Sequence, residues 1–200
     1  MSENNFELLL QESSTLHGHL CPGQVLGVRM ALVGLSHIGI ADPKGKDRKN
    51  LFVFVEMDRC ATDAVQSVTG CSLGKRTMKF MDYGKMAATF FNVLTGKAVR
   101  VVALDNARDK VKDLFPLIED KYAAQVEAYR IMPDESLFEV TEVSVEIRPE
   151  DLPGKPLSRV QCSSCGEYIQ DKREVSRDGK VLCRSCDGSP YYTVRTMSRE

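Results

Sequence analysis

Two Cys-x-x-Cys pairs, Cys162-Ser-Ser-Cys165 and Cys183-Arg-Ser-Cys186, stand 17 residues apart near the C-terminus and constrain this chain more than any other feature. Each pair puts two thiolates on one tight turn, and an intervening hairpin brings the turns together. This is the donor set and spacing of a structural tetrahedral zinc site. Asp178-Gly179 has the residues of the hairpin turn. A segment of this length has too little apolar surface to fold unaided, so the metal supplies its folding free energy. The spacing predicts a zinc-ribbon or treble-clef module, since a redox Cys-x-x-Cys has no need of a second pair. Lys172, Arg173, Arg177, Lys180 and Arg184 alternate with Asp171, Glu174 and Asp178, which reads as a solvated face rather than a nucleic-acid surface.

Just upstream, the stretch 149–156 holds three prolines in eight residues and reads as a linker. The expected organisation is a main domain over 1–150, a linker over 151–157 and the four-cysteine module over 158–200. A chain of 200 residues suits one core with an appendage. With 27 basic against 28 acidic side chains the net charge is -1, which leaves no whole-chain footprint for a polyanion. The first residues show no basic and then apolar leader, and no apolar run reaches the length of a membrane span. The expectation is a cytoplasmic protein with no membrane contact. Seven cysteines in that reducing compartment then point to metal ligands or reactive thiols, not disulfides.

Apolar spacing predicts helices over 3–20 and, opened by Pro22, over 22–39. Val25, Val28, Leu32 and Leu35 form the apolar stripe of the second. Gly27, Ala31 and Gly34 form a small-residue ridge along which another backbone can approach. The segment 39–50 reads as an exposed loop, and Leu51-Phe-Val-Phe-Val55 as a buried strand. A short helix over 60–69 follows, closed by Gly70. Residues 77–79, 85–94 and 100–104 read as extended, with Thr95-Gly96-Lys97 as a turn. Helix returns from 109 to 129, divided at Pro116, and 138–147 reads as a strand with a bulge near Thr141, where the apolar parity switches.

The chemistry concentrates in His17-Gly18-His19-Leu20-Cys21-Pro22-Gly23, with two imidazoles and a thiol within five residues. Cys21 directly precedes a helix start, where unpaired amides and the macrodipole favour an anion, so its thiol is expected to ionise readily. These side chains suit a metal or a nucleophile; equally, the histidines could simply cap the preceding helix. In the helix 60–69, Ala61, Ala64, Val65 and Val68 follow core spacing. Cys60, Asp63 and Gln66 or Ser67 therefore share the opposite stripe, just past the end of a buried strand. Cys71 reads as a small buried hydrophobe and His37 as a favourable charge at a helix C-terminus. Thr69-Gly-Cys-Ser-Leu-Gly-Lys75 is not a phosphate loop, because three residues rather than four separate its glycines and Arg76 follows the lysine. Lys75 remains either an anion contact or an exposed turn residue.

Taken in order, the 17–23 stretch, Gly27-Val-Arg-Met30, Asp58-Arg-Cys-Ala-Thr-Asp63-Ala-Val-Gln66, Thr69-Gly-Cys71 with Gly74-Lys75, and Asp82-Tyr-Gly-Lys85 resemble the FmdE family of formylmethanofuran dehydrogenase components over residues 14–95. Some members also end in a small zinc module, which Cys162, Cys165, Cys183 and Cys186 resemble. The resemblance implies an α+β N-terminal domain with a metal-containing cleft, assembly as a homodimer, and association with molybdenum or tungsten formylmethanofuran dehydrogenases of one-carbon metabolism.

Two function classes follow. In the first, a metal-dependent enzyme or enzyme component holds a second divalent, zinc-like ion with His17, His19 and Cys60. Cys21 is then a further ligand or nucleophile, Asp63 an orienter or base, and Lys75 the contact for an anionic substrate group, with Gln66 and Thr69 supplying hydrogen bonds. In the second, a noncatalytic metal or cofactor carrier, or a regulator acting through its zinc module, serves a molybdenum or tungsten enzyme.

Overall fold

Strand β1, Leu51–Val55, is the second strand of a five-stranded sheet in the computed structural model, which describes residues 3–195. The order is β2 (Met78–Phe80), β1, β3 (Ala87–Asn92), β4 (Ala98–Ala103) and β5 (Phe138–Glu142). β1 and β2 run parallel with Val53 opposite Met78; the remaining pairs are antiparallel, with Val53 opposite Phe90 and Phe90 opposite Val99. Strand alternation turns Leu51, Val53, Val55, Ala88, Phe90, Val99 and Val101 toward one shared core. That core is completed by helices α1 (Glu3–His17), α2 (Pro22–His37) and α3 (Cys60–Thr69), and by later short helices. The chain divides into two compact units, 1–146 and 147–200. Among the described residues no helix is long and apolar enough to cross a membrane.

The glycine ridge of α2 is occupied within the chain. A Cβ on Gly27 would lie 2.6 Å from the Ala61 carbonyl oxygen and 2.6 Å from the Ala64 Cβ, and one on Gly34 would lie 2.1 Å from the Phe90 ring. Gly27 thus seats α2 on α3, and Gly34 seats it on β3. The ridge gives no support to a dimer.

Several boundaries differ from the expected ones. α1 ends at His17, because Gly18 turns left-handed (φ 95°) and its N–H donates to the Ser14 carbonyl. β5 stops at Glu142 instead of bulging onward: its partner β4 begins at Ala98, whose carbonyl takes the Val143 amide at 3.1 Å, so 144–148 has no strand to pair with. Pro116 does divide the helical stretch, into α4 (Val111–Leu114) and α5 (Lys121–Ile131), the latter capped by the Asp120 carboxylate accepting from the Tyr122 and Ala123 amides. A 3-10 turn, Asp105–Arg108, and a short helix α6, Asp134–Leu137, flank them.

Just beyond β1, Glu56 accepts two bonds from Arg100 of β4, at 2.6 and 2.7 Å, with its side chain only 7% exposed. The Arg100 guanidinium holds the Glu56 carboxyl below its ordinary value of 4.5, outweighing the effect of burial. Folding therefore favours the ionised form, whose contribution is complete above the unfolded value and is lost as pH falls through the folded one. We expect Glu56→Gln to cost about 2 kcal/mol at neutral pH. In denaturant melts the gap to wild type is expected to hold above roughly pH 4.5 and to close as the pH falls further; a gap that stays unchanged well below that pH refutes the assignment.

In the second unit, a 3-10 turn at Pro149–Asp151 opens the stretch expected to be a linker, and Asp151 pairs with Arg148 and Arg173. Two hairpins follow: β6 (Arg159–Gln161) with β7 (Tyr168–Gln170), and β8 (Val175–Arg177) with β9 (Lys180–Leu182). Asp178 and Gly179 turn the second with φ of 50° and 72°, as the Asp-Gly pair predicts.

Candidate metal centre

The four C-terminal cysteines converge, each sulfur within 4.8 Å of the others. The Cys165 and Cys183 sulfurs are 4.0 Å apart, and four thiolates about 2.3 Å from one zinc ion stand roughly 3.8 Å apart. The knuckle amides point the same way: Cys183 N–H donates to Cys162 Sγ at 3.3 Å and Cys186 N–H to Cys183 Sγ at 3.4 Å. Donation from the Cys165, Cys183 and Ser164 amides lowers the Cys162 thiol to about 6. The Glu167 amide pulls Cys165 the same way, but burial and the three neighbouring thiols push it up to about 12. Cys162 ionises easily while Cys165 and Cys186 are pushed the other way until a cation arrives, as suits a clustered thiolate site.

At the other centre, α1 ends on His17, Gly18 reverses the chain, and α2 begins at Pro22. This brings the donor atoms of His17, His19 and Cys21 within 4.8 Å of one another, with the two imidazole centroids 4.7 Å apart. His17 Nδ1 lies 2.7 Å from the Asp63 carboxylate on α3, and its Nε2 is buried with no hydrogen-bond partner among the described residues. A carboxylate on one imidazole nitrogen and an orphaned second nitrogen is the arrangement of a metal-bound histidine. The cluster lies at an open turn, with His19 exposed and Cys21 half-buried. The donor set of two imidazoles and a thiolate fits a zinc-like ion with an open coordination position.

The Cys21 sulfur does not cap α2; the main-chain carbonyl does so, accepting from the Gln24 and Val25 amides at 3.0 and 3.3 Å. Cys60 stands beside Cys21 but its sulfur falls outside the 4.8 Å group. Burial pushes the Cys60 thiol up, and the neighbouring Cys21 thiol adds to this. Of the two cysteines the sequence offers as ligands, Cys21 thus joins the imidazoles in the donor cluster and Cys60 stands next to it.

A cavity of about 540 Å³ adjoins the cluster. His17, Cys60, Asp63 and Gln66 line its polar side, and Met57, Leu73, Met78 and Phe80 are among its apolar walls. Thr69 and Lys75 do not reach it. The Thr69 hydroxyl is buried and bonds back to the Val65 carbonyl at 2.6 Å, while Lys75 Nζ donates to the Gly70 carbonyl at 2.9 Å, closing the end of α3. Cys71 is buried, as expected, and His37 Nδ1 donates to the Val33 carbonyl one turn back.

The sequence reading missed Gln24. Fully buried, it takes the Ser13 hydroxyl on its carbonyl oxygen and donates from Nε2 to the Cys60 carbonyl at 2.6 Å, tying α1, α2 and the start of α3 behind the cluster. Its signal was present: Gln24 occupies the first place of a stripe continued by Val28, Ala31 and Leu35, where a polar side chain needs a buried partner.

A family model described as FmdE, molybdenum formylmethanofuran dehydrogenase operon, matches residues 16–139, and one described as prokaryotic dksA/traR C4-type zinc finger matches residues 155–192. A probable S-adenosyl-L-methionine-binding protein of Archaeoglobus fulgidus is 32% identical over 202 residues, covering 93% of this chain and 54% of its own length, so this chain spans about half of that relative. The crystal structure of a tungsten formylmethanofuran dehydrogenase FmdE-like protein from Syntrophus aciditrophicus superposes with a TM-score of 0.61 at 22% identity, over 94% of this chain and 95% of that one. That similarity is one of fold.

Proposed function

Given that this chain belongs to the FmdE family and ends in a four-cysteine zinc finger, we propose that its N-terminal domain is a second metal centre serving a metal-dependent reaction of formyl-level one-carbon metabolism. The observation that carries this reading is His17, held through Nδ1 by Asp63 with Nε2 buried and unpartnered beside His19 and Cys21. His17, His19 and Cys21 would hold a zinc-like ion, which would supply Lewis acidity beside the cavity. Asp63 fixes the tautomer and orientation of His17, Gln66 offers an amide to the cavity, and the apolar wall of Met57, Met78 and Phe80 limits water beside the donors. The family name supports the link to formyl chemistry and to a molybdenum or tungsten partner enzyme. The thiol donors require a reducing compartment, which supports a cytoplasmic location.

The test is metal analysis of the full chain under reducing, chelator-free conditions. We expect two equivalents per chain in wild type and one, the zinc of the four-cysteine module, in the His17→Ala/His19→Ala variant; a single equivalent in wild type overturns the reading. Asp63→Asn is expected to weaken the N-terminal site about 10- to 100-fold in competition titrations while leaving the C-terminal zinc in place. An unchanged affinity there removes Asp63 from the site.

Exposure of His19 favours a second reading, in which the domain carries its ion to a partner enzyme. Stoichiometric recovery of such a partner from native extract supports carriage, and a lone homodimer supports catalysis. The homodimer itself rests on the family resemblance and on the exposed side chains of Leu8, Leu16 and Leu20, and a monomeric mass in light scattering refutes it.

A further inference from the structure

Gly23, the second residue of α2, is the point where the two half-buried thiols of the cleft meet. A Cβ there would stand 2.9 Å from the Cys60 Cβ and 3.7 Å from the Cys21 sulfur, so only glycine lets Cys60 close on Cys21. The two thiols are near enough to act on each other through hydrogen bonding and charge. Both are free and partly exposed, so a small oxidant can reach them. The Gln24 amide donates to the Cys60 carbonyl at 2.6 Å and so ties the start of α3 to α2 at this point. Cys71 is buried, and its thiol contacts the Leu51 carbonyl.

One thiol that belongs to a donor cluster and a second that stands beside it without belonging is an arrangement for control. We propose that Cys60 is the resolving thiol of a redox switch: it forms a reversible disulfide with Cys21, which withdraws Cys21 from the donor set and empties the N-terminal site. This rests on the metal reading above only for its consequence; formation of the disulfide stands on the thiol pair alone.

The chemistry balances with a low-molecular-weight disulfide as oxidant. One of the two cysteine thiolates attacks the small disulfide, forming a mixed disulfide and expelling one small thiolate. The other cysteine, as thiolate, attacks the protein sulfur of that mixed disulfide, forming the Cys21–Cys60 bond and expelling the second small thiolate. Two protein thiols are oxidised, one small disulfide is reduced to two thiols, and the two protons pass to the departing thiolates. Excess dithiol runs the exchange backward and restores the donor.

The experiment treats the full chain with oxidised glutathione and follows it by peptide mass mapping and metal release. We expect a Cys21–Cys60 cross-linked peptide, with the chain two hydrogens lighter, in wild type whether or not its N-terminal site has been loaded. Where that site holds metal, about one equivalent is expected to leave on oxidation and to rebind after dithiothreitol. Cys60→Ser is expected to retain its N-terminal metal and to give no cross-link, with Cys21 stopped as a glutathione adduct; Cys21→Ser is expected to lose both. Absence of the cross-linked peptide in wild type overturns the switch even if two metals bind. A Cys60→Ser variant as poor in metal as Cys21→Ser also overturns it, because Cys60 is then a ligand. A cross-link in a chain that binds only the C-terminal zinc instead refutes the metal reading and leaves the thiol pair intact.

Discussion

Replacing Cys183 and Cys186 with serine is expected to unfold the zinc module and leave the N-terminal sheet standing. Within residues 147–195 the buried apolar side chains are few: Ile169 is 9% exposed, and Cys162 is itself a donor. Burying one isoleucine contributes about 2 kcal/mol, whereas apparent zinc binding at a structural site contributes about 10–16 kcal/mol. The two hairpins are three-residue ladders, too short to persist without the knuckles that join them. Amide resonances of Val160, Ile169 and Val181 are therefore expected to collapse to random-coil positions in the double variant, and in wild type on chelation. Those of Val53, Phe90 and Val101 are expected to keep their dispersion. Retained dispersion in the zinc-free module shows that something other than the metal holds it.

What could be read without a structure follows the range over which each signal acts. α3 was legible because its signal is local and periodic: Ala61, Ala64, Val65 and Val68 are buried, and Asp63 and Gln66 line the cavity on the other side as the helical period requires. The spacing of the four C-terminal cysteines worked for the same reason, since each knuckle lies within four residues and the Asp-Gly turn joins two adjacent strands. The end of β5, by contrast, depends on a distant partner. β5 is cut short by where β4 begins, and that register is set by the whole sheet. Thr69 and Lys75 belong to the resembled motif, but the ends of their side chains bond to nearby carbonyls, a choice that sequence spacing does not encode. Likewise the places of Cys21 and Cys60 beside the imidazoles are a matter of a few ångströms, decided by how closely Gly23 lets α3 approach. Family membership identifies the cluster and leaves those distances open.

The approach of α3 to α2 sets a large single-residue effect in the N-terminal domain, at Gly27. Alanine there gains about 1 kcal/mol of helix propensity, and a surface glycine would be stabilised by the change. Gly27 is buried, however, and its added methyl would meet the Ala61 carbonyl at 2.6 Å, the Ala61 Cα at 2.8 Å and the Ala64 Cβ at 2.6 Å. Two of those atoms are backbone, and none can rotate out of the way as the end of a long side chain does. Overpacking of this kind costs about 3 kcal/mol, so the clash wins and Gly27→Ala loses about 2 kcal/mol net. For a domain of this size that is roughly 4–8 °C in Tm. The relief available to the fold is to lift α3 away from α2, and α3 carries Cys60 and Asp63. The variant is therefore expected to pair its lower Tm with a weakened N-terminal metal site, because Asp63 retreats from His17 Nδ1. Its glutathione-driven Cys21–Cys60 cross-link is expected to fall as well, while the zinc content of the C-terminal module stays at one equivalent. A Gly27→Ala chain that melts at or above the wild-type temperature shows that the two helices have room to spare, and removes close packing as the reason for glycine at this position.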